Sequence, residues 1–398
     1  MIVLTGARQA GKTTALRAIF SEYSYVSLDL PSQAEQAERD PESFLSAFPA
    51  PVIIDEVQYA PGLFRHVKAV VDRDRHACGR YILTGSQHFI LMKSVSESLA
   101  GRAAVFELEN LSLAEISAAD TSVTDTAAPR QPGAGAGAGA KLKSVLVRGQ
   151  FPELWRNPEL PSHTFYSSYL ATYLERDVRQ ILNVTSLRDF ERCIRVLAAR
   201  SGSVMNKSDV AKDVGVSVKA VGDWISVLQA SGQILLLEPW FSNFGKRIAR
   251  SPKLYFRDTG LLAFLLGIDA GNLESSPFLG ALWETFLCAQ MRKTAAYRDG
   301  SARLWYYRDQ YAREVDFVIE HRGALSFAEA KWTELPDASD SRTVRAVHQE
   351  LADSGSPWQA GNRYILCRTA NPYPLADGTL ALGPSLINGM TEFSKTTD

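Results

Sequence analysis

Residues 6–13 constrain this chain more than any other segment, because they read G-x-x-x-x-G-K-T. The apolar residues 2–4 before them predict a buried strand, and residues 14–20 after them predict an amphipathic helix. A glycine-rich turn between strand and helix points backbone N–H groups into one concavity, where the helix N-terminus adds partial positive charge. A tight turn beside a solvated lysine is the alternative, and it does not account for the flanking elements. The segment therefore predicts a phosphate-binding loop.

Side-chain chemistry assigns roles within this loop. Lys12 is expected to reach the β and γ phosphates of ATP, and Thr13 to offer its hydroxyl to Mg²⁺. The other nucleotide-binding candidates of the loop are Gly6, Ala10, Gly11 and Thr14.

Residues 52–56, V-I-I-D-E, read as a strand buried on both faces that ends in two acids. Asp55 is placed to hold the Mg²⁺ shell, and Glu56 to polarise the attacking water as the catalytic base. The alternative is a strand end capped by solvated acids. The upstream loop favours the catalytic interpretation.

A third strand, residues 80–86, ends in small polar side chains. Ser86 or Thr84 is expected to contact the γ-phosphate or the water, although a plain polar turn explains both residues equally well. Arg102 follows a glycine before the next strand and is a candidate catalytic arginine finger. A surface arginine in a turn is its alternative.

These segments resemble prokaryotic AAA-type ATPases, in particular a bacterial and archaeal group whose ATPase domain precedes a conserved domain of unknown function. The resemblance covers most of residues 1–335. It implies an α/β fold of the P-loop ASCE type, with Lys12 and Thr13 on nucleotide and Mg²⁺, Asp55 assisting the metal and Glu56 as base. AAA-type ATPases often form rings, so the resemblance also implies a homo-oligomer, and Arg102 would act either in cis or from a neighbouring subunit. Members usually carry further residues before the first strand, and this chain does not.

Bulk composition limits the remaining possibilities. A chain of 398 residues is expected to contain several domains. With 43 Lys and Arg against 44 Asp and Glu, the net charge argues neither for nor against nucleic acid. The four cysteines are far apart, which predicts reduced thiols in a cytoplasmic protein. The longest apolar run, residues 261–266, is too short for a membrane span, and the immediate start of the first strand predicts no signal peptide.

The chain is predicted to divide into five regions. An ATPase domain spans residues 1–118, and a flexible Ala/Gly-rich linker spans residues 119–143, in which Val123 and Leu142 are the only large apolar side chains. A helical segment follows at residues 144–200. Its cluster Glu175, Arg176 and Asp177 is expected to cap and tie helices rather than to catalyse a reaction.

Residues 201–270 are predicted to form a winged helix-turn-helix. A short helix at residues 209–214, a Gly-Val-Ser turn, a second helix at residues 218–229 and a strand at residues 234–240 follow one another. The basic residues 244–250 lie near the expected wing. DNA binding is one interpretation, and a winged helix used only for packing is the other.

Residues 271–398 have the order α-β-β-β-α-β with the pattern E…D…E-x-K, which resembles the PD-(D/E)xK nuclease fold. Asp316, Glu329 and the carbonyl of Ala330 are candidate ligands of a second Mg²⁺, and Glu284 is the candidate to complete its shell. Lys331 is the candidate to orient or deprotonate the water. Strand alternation predicts that Asp316 and Val318 share a face with Glu314. The alternative is a salt-bridged sheet end without catalysis.

Three functional hypotheses follow. The first is an Mg²⁺-dependent ATPase motor or switch coupled to a DNA-binding and nuclease-like region. The second is a non-catalytic regulator in which ATP gates binding to DNA or protein. The third is a nuclease whose ATPase controls access to the substrate.

Overall fold

The computed structural model describes residues 1–74, 76–85, 99–121, 137–173, 187–241, 251–297 and 302–390. They form two compact units. The first unit holds the described residues within 1–110 together with the segments 151–153 and 226–233. The second holds residues within 111–150 and 154–225 and those from 234 onward.

A parallel five-stranded sheet organises the first unit. Its strands are β1 (Ile2–Gly6), β2 (Ser24–Ser27), β3 (Val52–Asp55), β4 (Tyr81–Thr84) and β5 (Ala104–Leu108). Their order across the sheet is β2-β3-β4-β1-β5, and all neighbours are parallel. Because β4 lies between β1 and β3, the loop after β1 and the acids after β3 come from non-adjacent strands. The described residues of this unit include the helices α1 (Lys12–Ile19), α2 (Pro31–Arg39), α3 (Pro41–Ala47) and α4 (Leu63–Arg73).

Both faces of this sheet are buried, as the continuous apolar sequence of β3 predicts. Val52 and Ile54 pack in one cluster with Phe64 of α4. Ile53 points to the other face and packs with Leu16 of α1. Side chains alternate along a strand, so a strand covered on both faces has no polar position until its end. The acids at the end of β3 are therefore held by a rigid strand.

Among the described residues, five helices precede the next sheet: α5 (Leu113–Thr121), α6 (Gly137–Arg148), α7 (Pro152–Arg156), α8 (Ser162–Tyr173) and α9 (Leu187–Ala198). The ends of α5 and α6 extend into residues 119–143, which the sequence predicts to be a flexible linker. Leu142, Val145 and Leu146 have helical spacing and are buried, which supplies the packing that orders α6. Residues 122–136 lie outside the described part of the chain, as does the cluster Glu175–Asp177.

A three-stranded antiparallel sheet comes next, with β6 (Ser203–Val204), β7 (Ile234–Leu237) and β8 (Lys253–Phe256) in the order β6-β8-β7. Two helices, α10 (Lys207–Val214) and α11 (Val218–Ala230), lie between β6 and β7 in the chain. Gly215 ends α10 in the left-handed conformation, and the Ser217 hydroxyl accepts the N–H of Ala220 at the start of α11. The predicted helix pair and serine cap are confirmed. The basic residues 244–250 lie outside the described residues.

The last part of the chain builds a six-stranded mixed sheet. Its elements are α12 (Thr259–Leu266), α13 (Leu279–Tyr297), β9 (Arg303–Arg308), β10 (Glu314–His321), β11 (Ala324–Ala330), α14 (Arg342–Asp353), β12 (Gln359–Leu366), β13 (Tyr373–Pro374) and β14 (Leu380–Leu382). The order is β13-β14-β12-β11-β10-β9. β11, β12 and β14 run parallel, and the other neighbours are antiparallel. The predicted α-β-β-β-α-β order is present.

One prediction within this sheet is wrong. Val318 packs with Val315 in the same apolar cluster, not on the face of Asp316. The pairing of β10 with β9 shifts register between Val315 and Val318, and such a bulge moves the following side chain to the opposite face. Glu314 precedes the shift, and Asp316 lies within it.

No helix in the described part of the chain is both long enough and apolar enough to cross a membrane. All four cysteines are free thiols, and only Cys78 is exposed.

Candidate nucleotide site and acidic cluster

The loop between β1 and α1 has the backbone that its glycines predict. Gly6 and Gly11 have positive φ angles of 139° and 91°. A Cβ at Gly6 would lie 2.3 Å from a backbone carbonyl oxygen of β5. Ala10 is buried and donates its N–H to the carbonyl of Ala7 at 3.3 Å, whereas Thr14 is exposed on the first turn of α1. The chain thus turns tightly onto the N-terminus of α1.

Lys12 is held inside this loop. Its side chain is 7% exposed, and its ammonium donates to the carbonyl oxygens of Gly6 at 3.0 Å and Ala7 at 2.9 Å. These acceptors are neutral. An anionic phosphate oxygen is a stronger partner for an ammonium than a carbonyl, so the lysine is poised to exchange one for the other.

Asp55 and Thr13 meet, as the sequence predicts for a shared metal. The Thr13 hydroxyl donates to Asp55 Oδ2 at 2.6 Å, and the Tyr25 hydroxyl donates to the same oxygen at 2.9 Å. The N–H of Glu56 donates to Asp55 Oδ1 at 3.0 Å. Burial, with the negative charge of Asp55, raises the pKa of Tyr25 to about 12, so its proton stays on the hydroxyl and orients the carboxylate.

Glu56 has a strained backbone, with φ at 53° in the left-handed region. Non-glycine residues hold this conformation at a cost of roughly 1–3 kcal/mol, and such residues cluster at functional sites. The Gln58 side-chain amide donates to Glu56 Oε2. The strained backbone and the amide together position this carboxylate next to Asp55.

The remaining predicted catalytic residues are Arg102, Thr84 and Ser86. Arg102 forms an ion pair with Asp72 of α4 at 2.8 Å and donates to the carbonyl of Ala100, which favours the turn interpretation over a free finger. Thr84 is fully buried at the end of β4, and its hydroxyl has no hydrogen-bond partner among the described residues. Ser86 lies outside them.

The donors gathered here fit Mg²⁺ and a triphosphate. Mg²⁺ takes oxygen ligands, and Thr13 and Asp55 offer a hydroxyl and a carboxylate that already touch. The buried Thr84 hydroxyl is a polar atom still to be paired within the described part of the chain. Lys12 and the N-terminus of α1 supply positive charge.

A second polar cluster lies in the second unit. Glu284 comes from α13, Asp316 from β10 and Glu329 from β11, and Lys331 directly follows β11. The Lys331 ammonium donates to Glu329 Oε1 at 3.2 Å. The structure therefore brings the four predicted residues to one place.

A residue that the sequence did not point to lies at the centre of this cluster. Lys253, the first residue of β8, is 1% exposed. Its ammonium lies 2.9 Å from Glu284 Oε1, 2.6 Å from Glu314 Oε1 and 3.1 Å from Asp316 Oδ1. Three carboxylates from two elements thus share one buried cation.

N–H and O–H donors occupy most of the predicted ligand oxygens. Asp316 Oδ2 accepts the N–H of Ala330 at 3.0 Å, and Oδ1 accepts from Lys253. Glu284 Oε1 accepts from Lys253 and from the Tyr255 hydroxyl. Glu329 Oε2 is buried and has no partner among the described residues.

The charges of this cluster shift its pKa values. Burial, then the charge of Asp316, raises the pKa of Glu284 to about 7 and that of Glu329 to about 8. Burial alone would lower the pKa of Lys253, but the charges of Asp316, Glu284 and Glu314 outweigh it and raise that pKa. The lysine therefore stays charged.

As the side chains lie here, Lys253 rather than a metal bridges Glu284 and Asp316, and the predicted ligand set Glu284, Asp316 and Glu329 stays a prediction. Bonds from Mg²⁺ to oxygen are about 2.0–2.1 Å long, and Lys253 already bridges Glu284 and Asp316. The described residues include no group of three or more His, Cys, Asp or Glu side chains placed to hold a metal.

Sequence reasoning missed Tyr25, Gln58, Lys253 and Tyr255. Tyr25 and Gln58 lie on neighbouring elements of Asp55, and no spacing rule marks them. Lys253 and Tyr255 did leave a weak signal, because they alternate in the buried strand K-L-Y-F, where a lysine is rare unless it is paired.

Protein-family models match three parts of the chain. They are an AAA domain over residues 1–117, a domain of unknown function (DUF8612) over residues 139–272 and another (DUF4143) over residues 279–386. Among solved structures, the RuvB Holliday junction branch migration motor of Thermotoga maritima is 15% identical at a TM-score of 0.29, over 59% of this chain and 80% of that chain. Orc1 of Aeropyrum pernix, solved in complex with DNA, is 14% identical at a TM-score of 0.26, over 67% and 86%. Likenesses this slight carry no functional inference.

Two relatives match nearly the whole chain. The uncharacterized proteins Rv2008c of Mycobacterium tuberculosis and Mb2031c of Mycobacterium bovis are each 31% identical over 385 residues, which is 96% of this chain and 81% of theirs. The chain belongs to the family of these proteins, with an AAA-type P-loop ATPase domain followed by conserved domains of unknown function.

Proposed function

We propose that the first unit binds ATP and hydrolyses it in the presence of Mg²⁺. The observation that carries this proposal is the 2.6 Å contact between Thr13 Oγ1 and Asp55 Oδ2. It joins the first turn of α1 to the acid at the end of β3, across the strand that separates β1 from β3. A hydroxyl and a carboxylate so joined, beside a glycine loop with a buried lysine, are the parts that phosphoryl transfer needs.

Each residue has a role that follows from its contacts. Lys12 exchanges the carbonyls of Gly6 and Ala7 for phosphate oxygens. Thr13 and Asp55 would hold Mg²⁺, which would neutralise phosphate charge there. Tyr25 keeps the Asp55 carboxylate oriented.

Glu56 is the base of this proposal. Its carboxylate accepts a proton from the attacking water, and the Gln58 amide positions it until then. The Thr84 hydroxyl, which has no partner among the described residues, supports a contact with the γ-phosphate or the water. The Arg102 side chain pairs with Asp72, so the proposal assigns it no catalytic role within its own subunit.

Steady-state ATP hydrolysis tests the proposal. Lys12→Ala is expected to abolish turnover, and Glu56→Gln to bind a fluorescent ATP analogue while slowing turnover by about 10²–10⁴-fold. Arg65→Ala, at an exposed position of α4, is the matched control and should keep the wild-type rate. A Lys12→Ala protein that still hydrolyses ATP refutes the proposal.

A second candidate function is ATP-gated DNA binding by the second unit without cleavage. The chain order α9, β6, α10, α11, β7, β8 is that of a winged helix, which supports this candidate. The order α13, β9, β10, β11, α14, β12 supports a nuclease-like fold, but the filled ligand oxygens of Asp316 and Glu284 do not support cutting.

Fluorescence anisotropy of a labelled DNA duplex tests the second candidate. The Glu56→Gln protein traps the ATP state, so its DNA affinity should differ with and without ATP and should fall steeply with salt. An affinity that ATP leaves unchanged argues against gating.

A further inference from the structure

Lys253 is a buried cation for which ATP hydrolysis has no use. It begins β8, and its ammonium reaches carboxylates of α13 and β10. An isolated buried ammonium is strongly unfavourable, so its partners must compensate it.

The three carboxylates in turn depend on the positive charge of the lysine. Glu284, Glu314 and Asp316 would otherwise repel one another in a site that excludes water. Glu314 has a second partner, Arg308 at 3.1 Å, but Arg308 lies toward solvent. Within the cluster, Lys253 is the cation common to all three acids.

The ammonium also occupies a particular position. It bridges Glu284 Oε1 and Asp316 Oδ1 at 2.9 and 3.1 Å, as a metal ion bridges carboxylates of two elements. A divalent ion bound to the same two oxygens would lie within contact distance of a like charge. Lysine and metal therefore exclude each other.

We propose that Lys253 is the resident cation of this cluster and closes it to divalent metals, so that a metal site is latent in the second unit. Withdrawal of the ammonium leaves three carboxylates around an oxygen-lined space, which is the donor chemistry that Mg²⁺ and Mn²⁺ prefer.

The lysine also ties two sheets together. β8 pairs with β6 and β7, whereas Asp316 and Glu314 belong to the six-stranded sheet. The Tyr306 hydroxyl of β9 donates to the carbonyl of Ser251, just before β8, at 2.6 Å. The Lys253 ammonium therefore leaves the carboxylates only if the start of β8 moves away from β9 and β10.

Binding of Mn²⁺ to the full-length protein without nucleotide tests the proposal. Free Mn²⁺ is followed by electron paramagnetic resonance, and metal-induced stabilisation by thermal unfolding. Lys253→Met keeps the length of the side chain and removes its charge. It is expected to bind Mn²⁺ about tenfold or more tightly than the wild type, because a buried like charge is gone. Lys253→Met/Asp316→Asn should lose this gain.

Two results overturn the proposal. One is a wild-type protein that binds a Mn²⁺ ion which Asp316→Asn loses, since the lysine would then not exclude metal. The other is a Lys253→Met protein that is folded by circular dichroism yet binds no more Mn²⁺ than the double variant. If Lys253→Met does not fold, the comparison of wild type with Asp316→Asn still decides. The N-terminal site is the same in every protein, so a failure of ATP hydrolysis leaves this comparison unaffected.

Discussion

Gly6 is where the structure makes its sharpest quantitative prediction. Its φ of 139° belongs to a region that only glycine occupies readily, and a Cβ there would lie 2.3 Å from the carbonyl oxygen of Leu108. Leu108 is the pairing partner of Gly6 at the end of β5. The clash is with backbone, so no rotamer relieves it, and Gly6→Ala must separate the ends of β1 and β5.

The size of the effect follows from two contributions. Backbone strain costs about 1–3 kcal/mol, and breaking a strand-end pairing adds about 1–2 kcal/mol. We therefore expect Gly6→Ala to destabilise the first unit by roughly 2–5 kcal/mol. Gly101 is the matched control, because it has φ of 73° but nothing lies within 4 Å of a Cβ there. Gly101→Ala should cost only about 1–2 kcal/mol.

The assay must report on the first unit alone. All seven tryptophans lie in the second unit, so their fluorescence does not serve. Hydrogen exchange of the β1, β3 and β4 amides measures local opening free energy directly. Gly6→Ala should speed exchange there and weaken binding of a fluorescent ATP analogue, and Gly101→Ala should do so far less. Equal effects of the two variants would refute the steric argument.

Two further predictions concern the polar clusters. Because the pKa values of Glu284 and Glu329 are raised to about 7 and about 8, the folded state binds protons more tightly than the unfolded state. Their stabilisation is present at low pH and is lost as pH rises through 7–8. Urea unfolding followed by tryptophan fluorescence should therefore show a more stable second unit at about pH 6 than at about pH 9, and Glu329→Gln should flatten this dependence. Tyr25→Phe removes a donor to Asp55 and should lower kcat/KM for ATP about tenfold, with a higher Mg²⁺ requirement. An unchanged Mg²⁺ titration would contradict the positioning role of Tyr25.

The local part of the nucleotide site was predictable from the sequence. A strand, a glycine turn and a helix are consecutive, so residues 2–20 carry their own signal. The burial of β3 was also readable, because its residues are continuously apolar. The insertion of β4 between β1 and β3 was not readable from these segments, since pairing between distant strands leaves no local pattern.

The contact of Tyr25 with Asp55 could not be predicted from local sequence patterns. It lies in β2, a short strand beside β3, and the register pairs Tyr25 with Ile53 and Ser27 with Asp55. A hydroxyl reaches Asp55 only because this register is set by the whole sheet. Side chains that orient a catalytic group from a neighbouring strand are therefore found by structure, not by spacing.

The acidic cluster shows a different gap. Counting ligands predicted that Glu284, Asp316 and Glu329 would converge, and they do. Balancing the charges would also have predicted a buried cation, because carboxylates in a buried site require compensating cations. Lys331 is half-buried beside Glu329 and does not pair with Glu284. A second cation was therefore required, and the lysine in the apolar strand K-L-Y-F was the residue least able to stay buried without acidic partners. Charge balance, applied to a metal site that ligand spacing predicts, distinguishes a cluster that awaits a metal from one that the chain has already neutralised.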